Sequence, residues 1–487
     1  MSLAIVLGAT AFLPGISGPF IFDDFPNIVA NNALRIQDLS LDELHRAAYS
    51  VPTVSAIQRP LAYISFALNG YFAGGFDDSA PFKLTNLFIH IVNGWLIFWM
   101  LQVVLKRYAR FSPNTPPDTL PASNTVILLA AAISLLWFIH PIQITSVLYV
   151  VQRMASLSAT FVLLGVLSYL LGRERLLQNQ RHSKLLMFGG PLIFGTIGIL
   201  VKETAVLLPL FILSLEITLY AKEKPWRNWS HLSPRSRKVI LAAVLLVGLL
   251  AIAVISYLFI SRILPGYEVR LFSFQERLLT QPRVLFFYIS LILLPRTNQF
   301  GIHHDDIIIS SSLLAPWTTL PAILGLATLA VLAVYLRRKW PIVSLGILWF
   351  LTGHLLESTV FPLEMVHEHR NYLASLGIVI ILVHLIYKGS RRIGNKKLLL
   401  LLPLLVLVFG SLTFIRANQW SSYEKLIAYN AVHHPKSSRA QLELGGMLAQ
   451  RGYYDQAREA YLAAITYQPN DPSLLIGLQM IRSNQNL

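Results

Sequence analysis

The chain has 487 residues, 54% of them apolar and 13% charged, against roughly 25% charged in soluble proteins. That composition excludes a soluble globular enzyme, and 26 Phe, 19 Tyr and 9 Trp exclude a disordered chain. Net charge is +16 and cysteine is absent, which rules out disulfides, thiolate metal sites and cysteine nucleophiles and fits a bacterial envelope protein.

Mean hydropathy of +0.57 and recurring apolar runs of about 20 residues predict an all-α, polytopic membrane protein. The alternating segments of about 10 residues that mark a membrane barrel are lacking. In chain order the runs fall near 3–22, 84–105, 124–140, 150–171, 185–201, 204–220, 239–260, 316–336, 341–358, 372–387 and 398–415, about eleven spans with soft boundaries. The first lacks a basic n-region and a clear cleavage site, so it reads as a retained span rather than a signal peptide.

Basic residues sort onto one set of connections: Lys106, Arg107 and Arg110; Arg173, Arg175, Arg181 and Lys184; Lys222, Lys224, Arg227, Arg235, Arg237 and Lys238; Arg337, Arg338 and Lys339; Lys388, Arg391, Arg392, Lys396 and Lys397. The positive-inside rule makes these loops cytoplasmic. Segment 283–295 is short for a crossing, and a crossing there would put neighbouring basic loops on opposite sides. It reads as a re-entrant or interfacial helix within an external loop, 261–315. The other external segments are 23–83, short turns near 140–149 and 201–203, 359–371 and everything after 416.

The tail changes character. SSRAQLELGGMLAQRGYYDQAREAYLAAITYQPND carries Leu444, Gly445, Tyr454, Ala457, Tyr461, Ala464 and Pro469 at the spacing of a tetratricopeptide repeat of about 34 residues. The chain thus divides into a membrane-embedded domain, 1–415, and a linker with a repeat module, 416–487, the repeat covering about 438–471. A lone repeat buries its apolar face poorly, so it should dock on the membrane domain or on a partner.

Unusual polar residues gather at the external ends of the spans: Asp23 and Asp24, Arg59, His140, Arg153, Lys202 and Glu203, His303 to Asp306, and Glu368 to Arg370. Ionisable groups at membrane depth are costly and mark function by default. Asp23 and Asp24 are the catalytic candidates, since a carboxylate at the mouth of a membrane cavity can accept a proton from an acceptor hydroxyl or hold a divalent cation against phosphate; the plainer reading is a helix cap. Arg59, Arg153, Lys202 and Arg370 are candidate ligands for a phosphate leaving group, against the plainer reading that such cations snorkel to headgroups. Lys202 and Glu203 read equally well as an ion pair within a tight turn. His90, His140, Glu203 and Glu368 are supporting residues, and His90 with Asn86, one turn apart, suits hydrogen bonding between helices. His303, His304, Asp305 and Asp306 offer metal-ligand chemistry, but adjacent loop residues seldom all ligate one ion. The sequence points to no definite cofactor and leaves room for a divalent metal. His367-Glu368-His369 lacks the spacing of a zinc protease, and no phosphate-binding glycine loop or hydrolase elbow occurs. No nucleic-acid partner is indicated.

FDDFPNIVANN, Arg59-Pro60-Leu61, NLFIH (Asn86 to His90), His140-Pro141, KET at 202–204 and HRNYLAS (His369 to Ser375) occur in an order that resembles the transmembrane and tetratricopeptide-repeat proteins, type-C glycosyltransferases related to protein O-mannosyltransferases. VQRMASL around Arg153 resembles the bacterial branch. Thr145 and Ala374 depart from residues frequent in that family, Glu and Pro respectively, and one clear repeat replaces a long array. The resemblance implies a polyprenyl-phosphate-linked sugar donor, a protein or glycan acceptor, transfer at the periplasmic face of a bacterial inner membrane, and Asp23 or Asp24 as the catalytic carboxylate of the first loop. Two readings stay open beside it: an oligosaccharide transferase or ligase using a diphosphate-linked glycan, and a non-catalytic membrane scaffold whose repeat recruits envelope machinery.

Overall fold

The computed structural model describes residues 1–50, 58–111, 123–221, 223, 233, 257, 259–469 and 472–485. Every regular element among them is helical. The expected span at 239–260 lies almost wholly outside the described residues, as do the basic residues Lys222, Lys224, Arg227, Arg235, Arg237 and Lys238.

Among the described residues, five helices are long and apolar enough to cross a membrane: Ala80–Arg110, Val150–Leu177, Thr319–Leu336, Glu368–Ile393 and Lys396–Gln419. A bent pair, Asn124–Phe138 and Pro141–Leu148, makes a sixth if it counts as one span. These six match runs read from the sequence and make this a multi-pass membrane protein. The other runs are shorter or broken. Ser2–Gly15, Leu185–Val201 and Pro341–His354 are apolar helices of less than spanning length, so the described residues supply fewer full spans than the eleven expected.

Burial sorts the helices into a centre and a rim. The apolar window of Val150–Leu177 is 78% buried, whereas those of Thr319–Leu336 and Lys396–Gln419 are 11% buried. The last two present Leu324, Val331, Leu404, Leu407 and Phe414 outward, as a lipid-facing helix must.

The interruptions follow from local chemistry and place the site. Pro141 has no amide hydrogen and cannot continue the Ser123–Phe138 helix. His140 turns extended instead (φ −67°, ψ 132°) and its ring accepts from the Ile142 amide, giving a 51° bend. Lys202 is also extended (φ −157°, ψ 140°) and ends the Gly190–Val201 helix. Segment 283–295 belongs mostly to Phe274–Leu293, a helix started by a capping box between Ser273 and Glu276.

The tail folds as the helices Tyr423–His433, Ser438–Gln450, Tyr454–Tyr467 and Pro472–Gln485. Ala457, Tyr461, Ala464 and Leu474 form their small core. A Cβ on Gly445 would lie 2.6 Å from the Tyr461 ring, so glycine is what admits that ring. The tail docks on the long loop. The Ile302 amide donates to Asn430 Oδ1 (2.9 Å), Ser437 donates to Asp305, the Arg439 amide donates to Asp305 Oδ2 (3.2 Å), and His303 Nε2 stands 3.2 Å from Glu443 Oε2.

Candidate active site

The two aspartates face opposite ways. Phe22 holds a left-handed backbone (φ 50°), a conformation costing about 1–2 kcal/mol for a side chain of this kind. The turn it makes sends Asp24 inward and leaves Asp23 exposed. Asp24 is fully buried and accepts from the Val151 amide (2.7 Å) and the Ile21 amide (3.1 Å). It caps no helix of its own; it stitches the first loop to the turn before Arg153. Burial pushes its carboxyl up to about 7, against those two donors and nearby Lys83. Asp23 is anchored through its backbone, its amide donating to the Tyr149 hydroxyl (3.0 Å) and its carbonyl accepting from Asn27 (2.8 Å).

Asp23 lines a cavity of about 260 Å³ with Tyr149, Arg270, His303, Glu364 and His367, and the tail contributes Arg439 and Gln468 to the same wall. Arg270 donates to Glu364 Oε1 (2.7 Å) and to the Pro362 carbonyl (2.7 Å). Burial would raise the Glu364 carboxyl, but His367 and Arg270 outweigh it and hold it well below the usual range.

Beside this cavity lies a cluster of opposed charges. Arg59 makes a two-pronged pair with Glu203 (2.9 and 2.6 Å), and Lys202 pairs with Glu357 at 2.7 Å. The turn at Lys202-Glu203 therefore is not an ion pair closed on itself: extended backbone at Lys202 sends the two side chains to different partners. Burial would lower Arg59 and raise Glu203, but their pairing prevails, raising the guanidinium and lowering the carboxyl. Glu357 is likewise drawn down to about 2, where Lys202 and Arg370 overcome burial.

Arg370 is buried and donates to the Glu364 and Met365 carbonyls (2.8 and 3.1 Å), while its Nε has no hydrogen-bond partner. It makes no ion pair among the described residues. Lys202, Glu357, His369 and Arg370 line a void of about 40 Å³, room for a water or so. The segment Glu364–His367 forms the wall of the Asp23 cavity while its carbonyls hold Arg370 from behind. Tyr63 links the two sides electrostatically. Burial raises its hydroxyl, Arg59 lowers it and Asp23 raises it.

Arg153 is not brought into this cluster. It is fully buried, and its guanidinium donates to Asn86 Oδ1 (2.7 Å), Asn69 Oδ1 (2.6 Å) and the carbonyls of Ser65 (3.0 Å) and Phe82 (3.0 Å). Phe66 lies under it at 4.8 Å. Placed so, it has no face turned to a phosphate and ties three helices together. His90 sits between the Tyr372 hydroxyl (2.8 Å) and the Phe138 carbonyl (2.9 Å), and His140 reaches the Ile292 carbonyl (2.9 Å). Glu368 is buried, accepting from the Gly301 amide (2.9 Å) and Arg416 (3.2 Å). The four loop residues His303 to Asp306 divide: His303 and Asp305 meet the tail at Glu443 and Ser437, while His304 and Asp306 converge with His434.

Sequence reasoning missed Arg270, Glu357, Tyr149, His434 and Lys83. Lys83 is buried, its Nζ donating to the carbonyls of Gly18 (2.6 Å) and Gly15 (3.1 Å). A lone base in the first turn of an apolar helix and a lone acid in GHLLEST were readable signals. Arg270 and His434 had none, because their meaning depends on partners some 90 and 130 residues away.

Comparison with known proteins gives human Protein O-mannosyl-transferase TMTC4, 28% identical over 209 residues, 42% of this chain and 27% of that protein. Mouse Protein O-mannosyl-transferase TMTC4 is 28% identical over 200 residues, 40% of this chain and 26% of that protein. Protein O-mannosyl-transferase Tmtc2 of Drosophila melanogaster is 31% identical over 209 residues, covering 42% and 20% respectively. The chain has distant relatives among protein O-mannosyl-transferases. The match spans about a quarter of the length of those relatives or less. No family model matches, and no solved structure matches.

Proposed function

We propose that this protein is an integral-membrane glycosyltransferase that moves a sugar from a polyprenyl-phosphate donor to a hydroxyl of a protein, or of a glycan, on the periplasmic face of a bacterial inner membrane. The observation that carries the reading is the juxtaposition just described. An exposed carboxylate lines a cavity large enough for a sugar, and the cavity's wall is backed by a buried arginine with an unpartnered nitrogen. The relatives' names supply the reaction class and make mannose the first sugar to test.

In this reading Asp23 is the general base. The acceptor oxygen attacks the anomeric carbon as its proton passes to the Asp23 carboxylate. The bond from that carbon to the phosphate oxygen breaks, and its electron pair leaves on the phosphate. One displacement inverts the anomeric configuration. Arg370 and Arg270 neutralise the departing phosphate, with Lys202 and Arg59 extending the positive field. Charge develops there as the bond breaks, so these groups stabilise the transition state more than the bound donor. Asp24 positions the loop without touching substrate. Arg153 is assigned to the scaffold, and the tail helices, read as a tetratricopeptide-repeat unit, help orient the acceptor through Arg439 and Gln468.

The test is transfer by purified protein from polyprenyl-phosphate mannose to serine- and threonine-containing peptides, with the product anomer determined by NMR. Inverted glycopeptide supports the reading. Consumption of only a diphosphate-linked donor, or a retained anomer, contradicts it.

A further inference from the structure

We propose that His304, Asp306 and His434 bind a divalent first-row transition metal that fastens the tail helices to the long external loop. Atoms able to ligate from these three residues all lie within 4.8 Å of one another. They come from two segments about 130 residues apart, His304 and Asp306 from the loop and His434 from the end of the Tyr423–His433 helix. His434 Nδ1 and Asp306 Oδ2 stand 2.9 Å apart, the separation of two ligands bound at about 2.1 Å and meeting at roughly a right angle. The His304 and His434 rings meet edge to face with centroids 5.0 Å apart.

An independent observation points to a missing ligand. The Nε2 of His304 is buried without a hydrogen-bond partner, and Glu368 Oε1, at 3.7 Å, is too far to serve as one. A buried imidazole nitrogen left unpaired costs free energy that metal coordination would recover.

The donor set selects the ion. Two imidazoles and one carboxylate suit Zn²⁺, Co²⁺ or Fe²⁺ and are poor for the hard cations Ca²⁺ and Mg²⁺. The remaining coordination position opens on a cavity of about 920 Å³ lined by His304, Asp306 and His434 together with Arg283, Asn298 and Gln299, so water can complete the shell. The ligands assemble only when the tail is seated, so metal affinity and tail docking are linked.

The experiment uses the full chain, without a polyhistidine tag, purified in detergent, stripped with EDTA and mixed with ZnCl₂. One equivalent of zinc should remain after gel filtration of the wild type and be lost in His304→Ala, His434→Ala and Asp306→Asn, while His367→Ala keeps it. Zinc should also slow proteolysis within the tail, and Co²⁺ should give a ligand-field spectrum that is absent from a monodisperse His434→Ala protein. If the variants fail to fold, the wild-type Co²⁺ spectrum and zinc-dependent protection of the tail decide. The proposal is overturned if the wild type retains no ion, if His434→Ala elutes normally and retains it, or if only His367→Ala loses it.

Discussion

Arg153 and Arg370 are both buried at the N-terminal end of an apolar helix, and they are used in opposite ways. Arg153 spends four of its five donors on the scaffold: two asparagine oxygens and two backbone carbonyls accept from it, and Phe66 packs beneath. Arg370 meets two carbonyls through one nitrogen and leaves Nε unpaired. Depth in the membrane therefore does not separate a strut from a site; the inventory of partners does. A cation whose donors are mostly spent holds helices together, whereas one with a buried donor to spare can still take an anion.

The largest expected effect lies on the open side. Asp23→Asn should reduce transfer about 10²- to 10⁴-fold, the range for loss of a general base, with gel-filtration behaviour and thermal midpoint unchanged. Transfer at wild-type rates would remove Asp23 from the chemistry. Next, Arg370→Met should lower kcat about 10²- to 10³-fold, as for loss of a group facing developing charge. A rise in the donor KM alone would instead make Arg370 a ground-state binder.

Arg153→Met should act on the other axis. Removing the guanidinium leaves asparagine and carbonyl oxygens buried without this donor, at about 1–3 kcal/mol for each left unsatisfied, so the variant should express poorly and melt early. Whatever folded protein is recovered should keep a near-normal specific activity. A stable Arg153→Met protein with no activity would reverse the assignment of the two arginines.

The smallest effect is one of pH and concerns Asp24. Its folded carboxyl titrates near 7 instead of 3.8, so between about pH 4 and 7 the folded chain holds a proton that the unfolded chain has released. Stability from this group is therefore lost as pH rises through that window and levels off above it. Asp24→Asn should flatten the pH dependence of the thermal midpoint, and its deficit against wild type should shrink from pH 5 to pH 8. An unchanged slope would show that Asp24 does not carry it.

The same contrast explains what was legible in the sequence. Charged residues interrupting apolar runs are visible one at a time, and Asp23, Asp24, Arg59, Arg153, Lys202 and Arg370 stand out alike because hydrocarbon tolerates few such groups. Their partners are not visible. Nothing local says that Asn69 and Asn86 spend the donors of Arg153, or that Lys202 reaches Glu357 rather than its neighbour Glu203. Helix breaks were half legible: Pro141 forces one, but the extended backbone at Lys202 reflects tertiary pairing and not propensity. The tail's hairpin could be read from its small residues, since Gly445 admits Tyr461, whereas its seat on the loop rests on Asn430, Ser437 and Glu443, which carry no pattern.

The most direct measurement is a cryo-EM structure of the protein with a polyprenyl-phosphate sugar. The account predicts the phosphate within hydrogen-bond reach of Arg370 or Arg270 and the sugar in the cavity lined by Asp23. A headgroup seated elsewhere, for example beside the apolar groove formed by Leu7, Leu135 and Phe414, with the Asp23 cavity empty of sugar, would contradict it.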